Sequence, residues 1–173
     1  MSRGSRRGRA AVLVATVAAL LMTPACGTSD QAGDAATTTM AALATSVDGL
    51  EGGTIALSEP DTTTVVAFVA SWCAPCRREL PELERLSTEL GDGARFLAVA
   101  VQEEPEQTRA LVSETGITFE VGSDPDGIVL GDYGFTGLPG TLLLDGDGEV
   151  VHRYRGTIDF DDLERRLGAA GSD

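Results

Sequence analysis

The apolar positions of this chain fall into two kinds of run. Residues 62–70 are β-branched or apolar at nearly every position, and residues 94–101 (Ala-Arg-Phe-Leu-Ala-Val-Ala-Val) repeat that pattern. Such continuity is what a strand covered on both faces requires. Thr54-Ile55-Ala56-Leu57, residues 117–121, Thr141-Leu142-Leu143-Leu144 and residues 149–155 give further short strands. The second kind of run has helical spacing. Leu80, Leu83, Leu86 and Leu90 share one helix face, with Glu79, Glu82, Arg85 and Glu89 on the others. Pro81 lies inside this helix and is predicted to bend it; Gly91-Asp92-Gly93 ends it. Residues 105–115 form a second helix, with Pro105 in its first turn, Glu103, Glu104 and Glu106 at its positive end and Gly116 after it. A loop over residues 122–127 leads to a short helical patch through Tyr133. Residues 158–170 close the chain as a helix, with Asp159, Asp161 and Asp162 early and Arg165 and Arg166 late, in agreement with the helix dipole.

Strand and helix alternate, which implies parallel pairing. The final two strands are joined through Asp145-Gly146-Asp147-Gly148 and read as a hairpin rather than a calcium loop, because the distant bidentate Glu of such loops is missing. The expected fold is α/β, a mixed sheet with helices on both faces.

Charge changes the picture at the N-terminus. The chain carries 13 Arg, no Lys and 27 acidic residues, a net charge of -14. Four of the arginines (Arg3, Arg6, Arg7, Arg9) precede every acid. An uncharged apolar run over residues 10–22 and small residues up to Cys26 follow, the order of a secretory signal. The run is too short for a permanent membrane span of about 20 residues. The placement of Cys26 resembles a bacterial lipoprotein signal, which implies cleavage before Cys26, its lipidation and a membrane anchor. Thr23 and Pro24 depart from the usual pattern, and plain secretion is the rival. Residues 26–46 are mostly Thr, Ser, Ala, Gly and Asp without periodicity, the composition of a flexible tether. The expected organisation is therefore signal 1–25, tether 26–46 and domain 47–173. A surface this acidic excludes nucleic acid as a partner.

The remaining cysteines, Cys73 and Cys76, stand at a predicted strand-to-helix junction. Two residues between cysteines permit a small disulfide ring that opens and closes. At a helix start, free N–H groups and the dipole favour a thiolate on Cys73. Cys73 is thus the expected nucleophile and Cys76, one turn on, the resolving thiol. A static disulfide and a metal site are the alternatives. Zinc needs four ligands, and the domain offers only His152 beyond the pair, so no metal is expected.

Residues 68–81 (Phe-Val-Ala-Ser-Trp-Cys-Ala-Pro-Cys-Arg-Arg-Glu-Leu-Pro) resemble the active-site segment of the thioredoxin superfamily, in its extracytoplasmic TlpA/ResA/DsbE-like branch. Gly137-Leu138-Pro139-Gly140-Thr141 and the hairpin after it resemble that branch's cis-proline loop. The resemblance covers roughly residues 47–170 and implies a thioredoxin-like fold. It implies that Pro139 is cis and that the backbone of Leu138 pairs with an extended substrate segment, with Trp72 and Pro75 beside it. It also implies that Glu79 moves protons for the pair. Ala67 stands where cytoplasmic thioredoxins carry a buried aspartate, and Leu138 replaces the more usual Val or Thr.

The function expected from this resemblance is thiol-disulfide exchange with protein substrates, with the disulfide itself as redox group and no added cofactor. Some branch members reduce disulfides, for example on apocytochrome c; others oxidise thiols. Expected partners are protein thiols or disulfides, a membrane electron donor or acceptor and the membrane through the anchor, the chain itself being a monomer. The rival classes are a non-catalytic binding or metal-carrying lipoprotein and a peroxidase. The latter would want Thr or Ser where Ala70 stands.

Overall fold

The computed structural model describes residues 45–170. The expected signal segment, most of the expected tether and Cys26 lie outside the described residues. Seven strands form one sheet in the order β2-β1-β5-β4-β3-β6-β7. The strands are β1 (Ser46–Gly49), β2 (Thr54–Ala56), β3 (Thr64–Val69), β4 (Arg95–Val101), β5 (Glu120–Asp124), β6 (Gly140–Leu144) and β7 (Val150–Arg155). The helices are α1 (Ala74–Leu90), α2 (Pro105–Thr115), α3 (Ile128–Asp132) and α4 (Phe160–Ala170). β3, β4 and β5 are parallel; β6, β7, β1 and β2 extend the sheet antiparallel at its two sides.

Alternation along β3 explains its unbroken apolar run. Val65, Ala67 and Val69 face a core shared with α1, α2 and α4 through Leu80, Leu83, Leu111 and Leu163. Val66 and Phe68 face the opposite core, with Leu97, Val129, Tyr133 and Phe135. Both faces of the sheet carry helix, so every residue of β3 is buried.

Three sequence expectations are corrected. A strand precedes the predicted first one: Ser46–Gly49 pairs antiparallel with Thr54–Ala56, and Thr45 accepts from the Leu57 N–H at 2.8 Å. The fold thus takes in Thr45 and Ser46, assigned to the tether. Only Val47 in this segment is apolar and buried, too little for a hydrophobic pattern. The strand predicted over 117–121 runs instead from Glu120 to Asp124 and includes Gly122. A Cβ on Gly122 would come 2.2 Å from Val47 Cγ2, so the glycine permits close approach of β1. Finally, Arg165 and Arg166 lie mid-helix rather than in the last turn of α4. They pair with Asp162 at 2.9 and 2.6 Å.

Candidate active site

Strand β3 ends at Val69, and the chain turns through Ala70 to Cys73, whose N–H donates to Ala70 C=O at 3.0 Å. Cys73 is the N-cap of α1, with extended φ and ψ, and Pro75 follows in the first turn, where no N–H is needed. The two sulfurs are bonded, with Cα atoms 5.3 Å apart. The Cys76 N–H donates to Cys73 Sγ at 3.2 Å. A helix N-terminus with a sulfur as its capping acceptor is a place where negative charge on that sulfur is favoured. The first turn of α1 holds no acidic side chain to oppose this. Cys76 is fully enclosed and Cys73 is 5% exposed, so access is from the Cys73 side.

The pairing of β3 with β6 brings the second motif to the same place. Phe68 lies opposite Gly140, so the start of β6 meets the end of β3 that leads to Cys73. The Leu138–Pro139 peptide is cis. Leu138 packs against both cores, including the one that holds Cys73 and Cys76. Gly140 makes room here: a Cβ would come 2.7 Å from the Phe135 ring. Beside the loop is a shallow hollow of about 190 Å³, lined in part by Thr136, Leu138, Pro139 and Arg155. Trp72 is 60% exposed, on the surface next to Cys73 rather than in the core.

Glu79 shares the buried face of α1 with Cys76, three residues on. Its Oε1 accepts from the Ile158 N–H at 2.8 Å. Burial raises its carboxyl above the ordinary glutamate range, while the Ile158 bond and the Arg78 charge pull it back. It is the nearest acid along α1 to Cys76 and holds its proton more readily than an exposed glutamate. Residues at i and i+3 on a helix are neighbours.

Two features of this site escaped the sequence. Glu103, expected at the positive end of α2, is instead buried and turned to the Ser71 N–H at 2.7 Å. Three glutamates stand together in the sequence, and nothing in it says which one folds inward; Glu104 is the one that caps α2. The Thr141 hydroxyl, in register with Ala67, is buried without a hydrogen-bond partner.

The family model described as Redoxin matches residues 31–167. The thiol:disulfide interchange protein HelX of Rhodobacter capsulatus is 34% identical over 104 residues, 60% of this chain and 57% of HelX. The thiol-disulfide oxidoreductase ResA of Bacillus thuringiensis is 31% identical over 123 residues, 70% of this chain and 71% of ResA. The solved structure of MTB dsbF, in mixed oxidised and reduced forms, superposes with a TM-score of 0.66 at 28% identity. It covers 72% of this chain and 93% of dsbF. The chain spans little more than half the length of HelX and of the DsbE homolog of Paracoccus denitrificans. The fold, the CxxC disulfide and these matches agree, and the chain belongs to the Redoxin family, among its DsbE- and ResA-like thioredoxin-fold members.

Proposed function

We propose that this protein exchanges disulfides with other proteins through Cys73 and Cys76, outside the cytoplasm, held to a membrane by a lipid on Cys26. One observation carries the reading of the chemistry: the disulfide caps the N-terminus of α1, with Cys73 Sγ accepting the Cys76 N–H. In the reducing direction, the Cys73 thiolate attacks one sulfur of a substrate disulfide. A mixed disulfide forms and one substrate thiolate leaves. The Cys76 thiolate then attacks Cys73 Sγ, re-forming the intramolecular bond and releasing the second substrate thiolate. Two electrons pass to the substrate, and two protons follow. Glu79, on the same buried helix face as Cys76, accepts the Cys76 proton in this reading. The reverse sequence oxidises a substrate dithiol. The disulfide is itself the redox group, so the exchange calls for no added cofactor. The exposed Trp72 and the Leu138–Pro139 loop flank the approach to Cys73 and suit an extended segment of the substrate. A membrane electron donor or acceptor would reset the pair, and apocytochrome c is one substrate class of such proteins. The arginine-rich start, apolar run and Cys26 support the location. No helix among the described residues is long and apolar enough to cross a membrane.

The test is trapping. Cys76→Ser should accumulate a mixed disulfide on Cys73 with a reducible protein such as insulin, and Cys73→Ser should trap nothing and lose exchange. Full exchange by Cys73→Ser would overturn the mechanism. The reduction potential of the pair then gives the direction: a value near that of thioredoxin, about -270 mV, marks a reductase, and one well above it an oxidase. Mass spectrometry of the mature N-terminus should show acyl mass on Cys26; an unmodified chain would remove the anchor.

A further inference from the structure

A buried carboxylate grips the active-site turn, and the exchange above does not use it. Glu103 sits at the corner between β4 and α2 and is 7% exposed. Its Oε2 accepts from the Ser71 N–H at 2.7 Å, and its Oε1 accepts from the Thr108 hydroxyl at 2.9 Å. Ser71 lies two residues before Cys73. Its carbonyl is held from the other side by Arg77 Nη1 at 3.5 Å, and Arg77 is paired with Glu114 of α2. Both polar groups of the Ser71 backbone are therefore tied to charged side chains, and the turn that carries the nucleophile is fastened to the α2 corner.

A neutral acceptor could also take the Ser71 N–H, through a weaker bond. Burying a carboxylate is costlier than burying a neutral acceptor. Its charge acts where solvent screens it weakly. Opposed fields then meet at Cys73. The N-terminus of α1, Arg77 and Arg78 favour its thiolate; Glu103 and Glu79 disfavour it. Glu114 is paired with Arg77, and Arg155 stands across the cis-proline hollow. Disfavouring the thiolate destabilises the dithiol relative to the disulfide, because ionisation of Cys73 is open only to the reduced pair.

We propose that Glu103 is a positioning residue that fixes the Ser71–Cys73 turn and, through its charge, makes the Cys73–Cys76 pair more reducing than the helix N-terminus alone would set it. This rests on the exchange reading above.

The full chain is equilibrated in glutathione buffers, where two glutathione thiols reduce the disulfide and leave as one glutathione disulfide. In parallel, the pH dependence of Cys73 alkylation by iodoacetamide is followed after reduction. Glu103→Gln keeps the acceptor and removes the charge. Its ratio of reduced to oxidised pair at fixed buffer should rise about threefold or more, which at about 30 mV per tenfold is about 14 mV. Its alkylation below the thiol midpoint should quicken by a similar factor. Glu103→Asp, which keeps the charge, should stay near wild type in both readings. Glu103→Ala should add a fall in unfolding temperature. A Glu103→Gln chain that matches wild type in both readings, or moves toward the disulfide, overturns the role of Glu103 while leaving exchange intact. A wild-type pair that never exchanges with glutathione overturns both readings.

Discussion

At the scale of single residues, Glu79 shows how position decides chemistry. In the sequence it is one of several glutamates along a leucine-spaced helix. In the fold it faces the same core as Cys76, accepts the Ile158 N–H and has its carboxyl raised by burial. The native state therefore binds its proton more tightly than the unfolded chain does. The stability this gives is complete below the ordinary glutamate range and is lost as pH rises through the raised value. Glu79→Gln should remove that loss, so that thermal unfolding shows the variant gaining on wild type toward neutral pH and losing the advantage in acid. The same variant should slow resolution of the mixed disulfide by about tenfold or more, because general acid–base groups contribute at least that much. Rapid-quench measurement on Cys73 adducts reads that step. Unaltered resolution would leave Glu79 a structural residue.

At the scale of elements, two junctions decide whether the frame holds. Gly122 lets β1 close on β5. A methyl group there would meet Val47 Cγ2 at 2.2 Å, and Val is β-branched and cannot swing aside. Gly122→Ala should cost about 1–3 kcal/mol in urea unfolding, with Val47→Ala in the same chain recovering part of it. At the other side of the sheet, α4 is fastened to β7. The Tyr154 hydroxyl donates to Asp162 Oδ2 at 2.8 Å, and Arg166 pairs with the same carboxylate at 2.6 Å. Asp162 is pulled down to about 2 by Arg166 and Tyr154, while burial and the Asp162 bond push Tyr154 up to about 12. For Asp162 the folded value is the lower one. Its contribution is present above the ordinary aspartate range and is lost as pH falls toward about 2. Asp162→Asn should flatten the acid limb of the stability profile, as circular dichroism melts across that range will show.

At the scale of the whole molecule, charge acts over distances that individual contacts do not reach. The net charge of -14 is spread over a chain whose arginines near the site, Arg77 and Arg78, are few. Long-range steering should favour basic substrates at low ionic strength, and screening at about 10 Å in 0.1 M salt should remove the preference. Stopped-flow exchange with basic and acidic versions of one disulfide peptide should differ several-fold at low salt and converge as salt rises. Rates indifferent to peptide charge at low salt would mean that the local arginines offset the global field.

Local order decided much of this protein. Continuous apolar runs mark β3 and β4 because two-sided burial demands them. Leucine spacing marks α1, and the Asp-Gly turn marks the β6–β7 hairpin. Cys73 and Cys76 are legible because their chemistry depends on short spacing along the chain; Pro139 is legible only through the family resemblance that its loop carries. What the sequence left open depends on residues far apart in it. β1 has one apolar side chain, and its strand exists because β2 and β5 supply its hydrogen bonds. β5 is shifted because Gly122 must face Val47, 75 positions earlier in the chain. Glu79 and Glu103 look like any surface glutamates until the fold brings the Ile158 and Ser71 N–H groups to them. A buried carboxylate is defined by the donors around it, and those donors are supplied only when distant segments pack together.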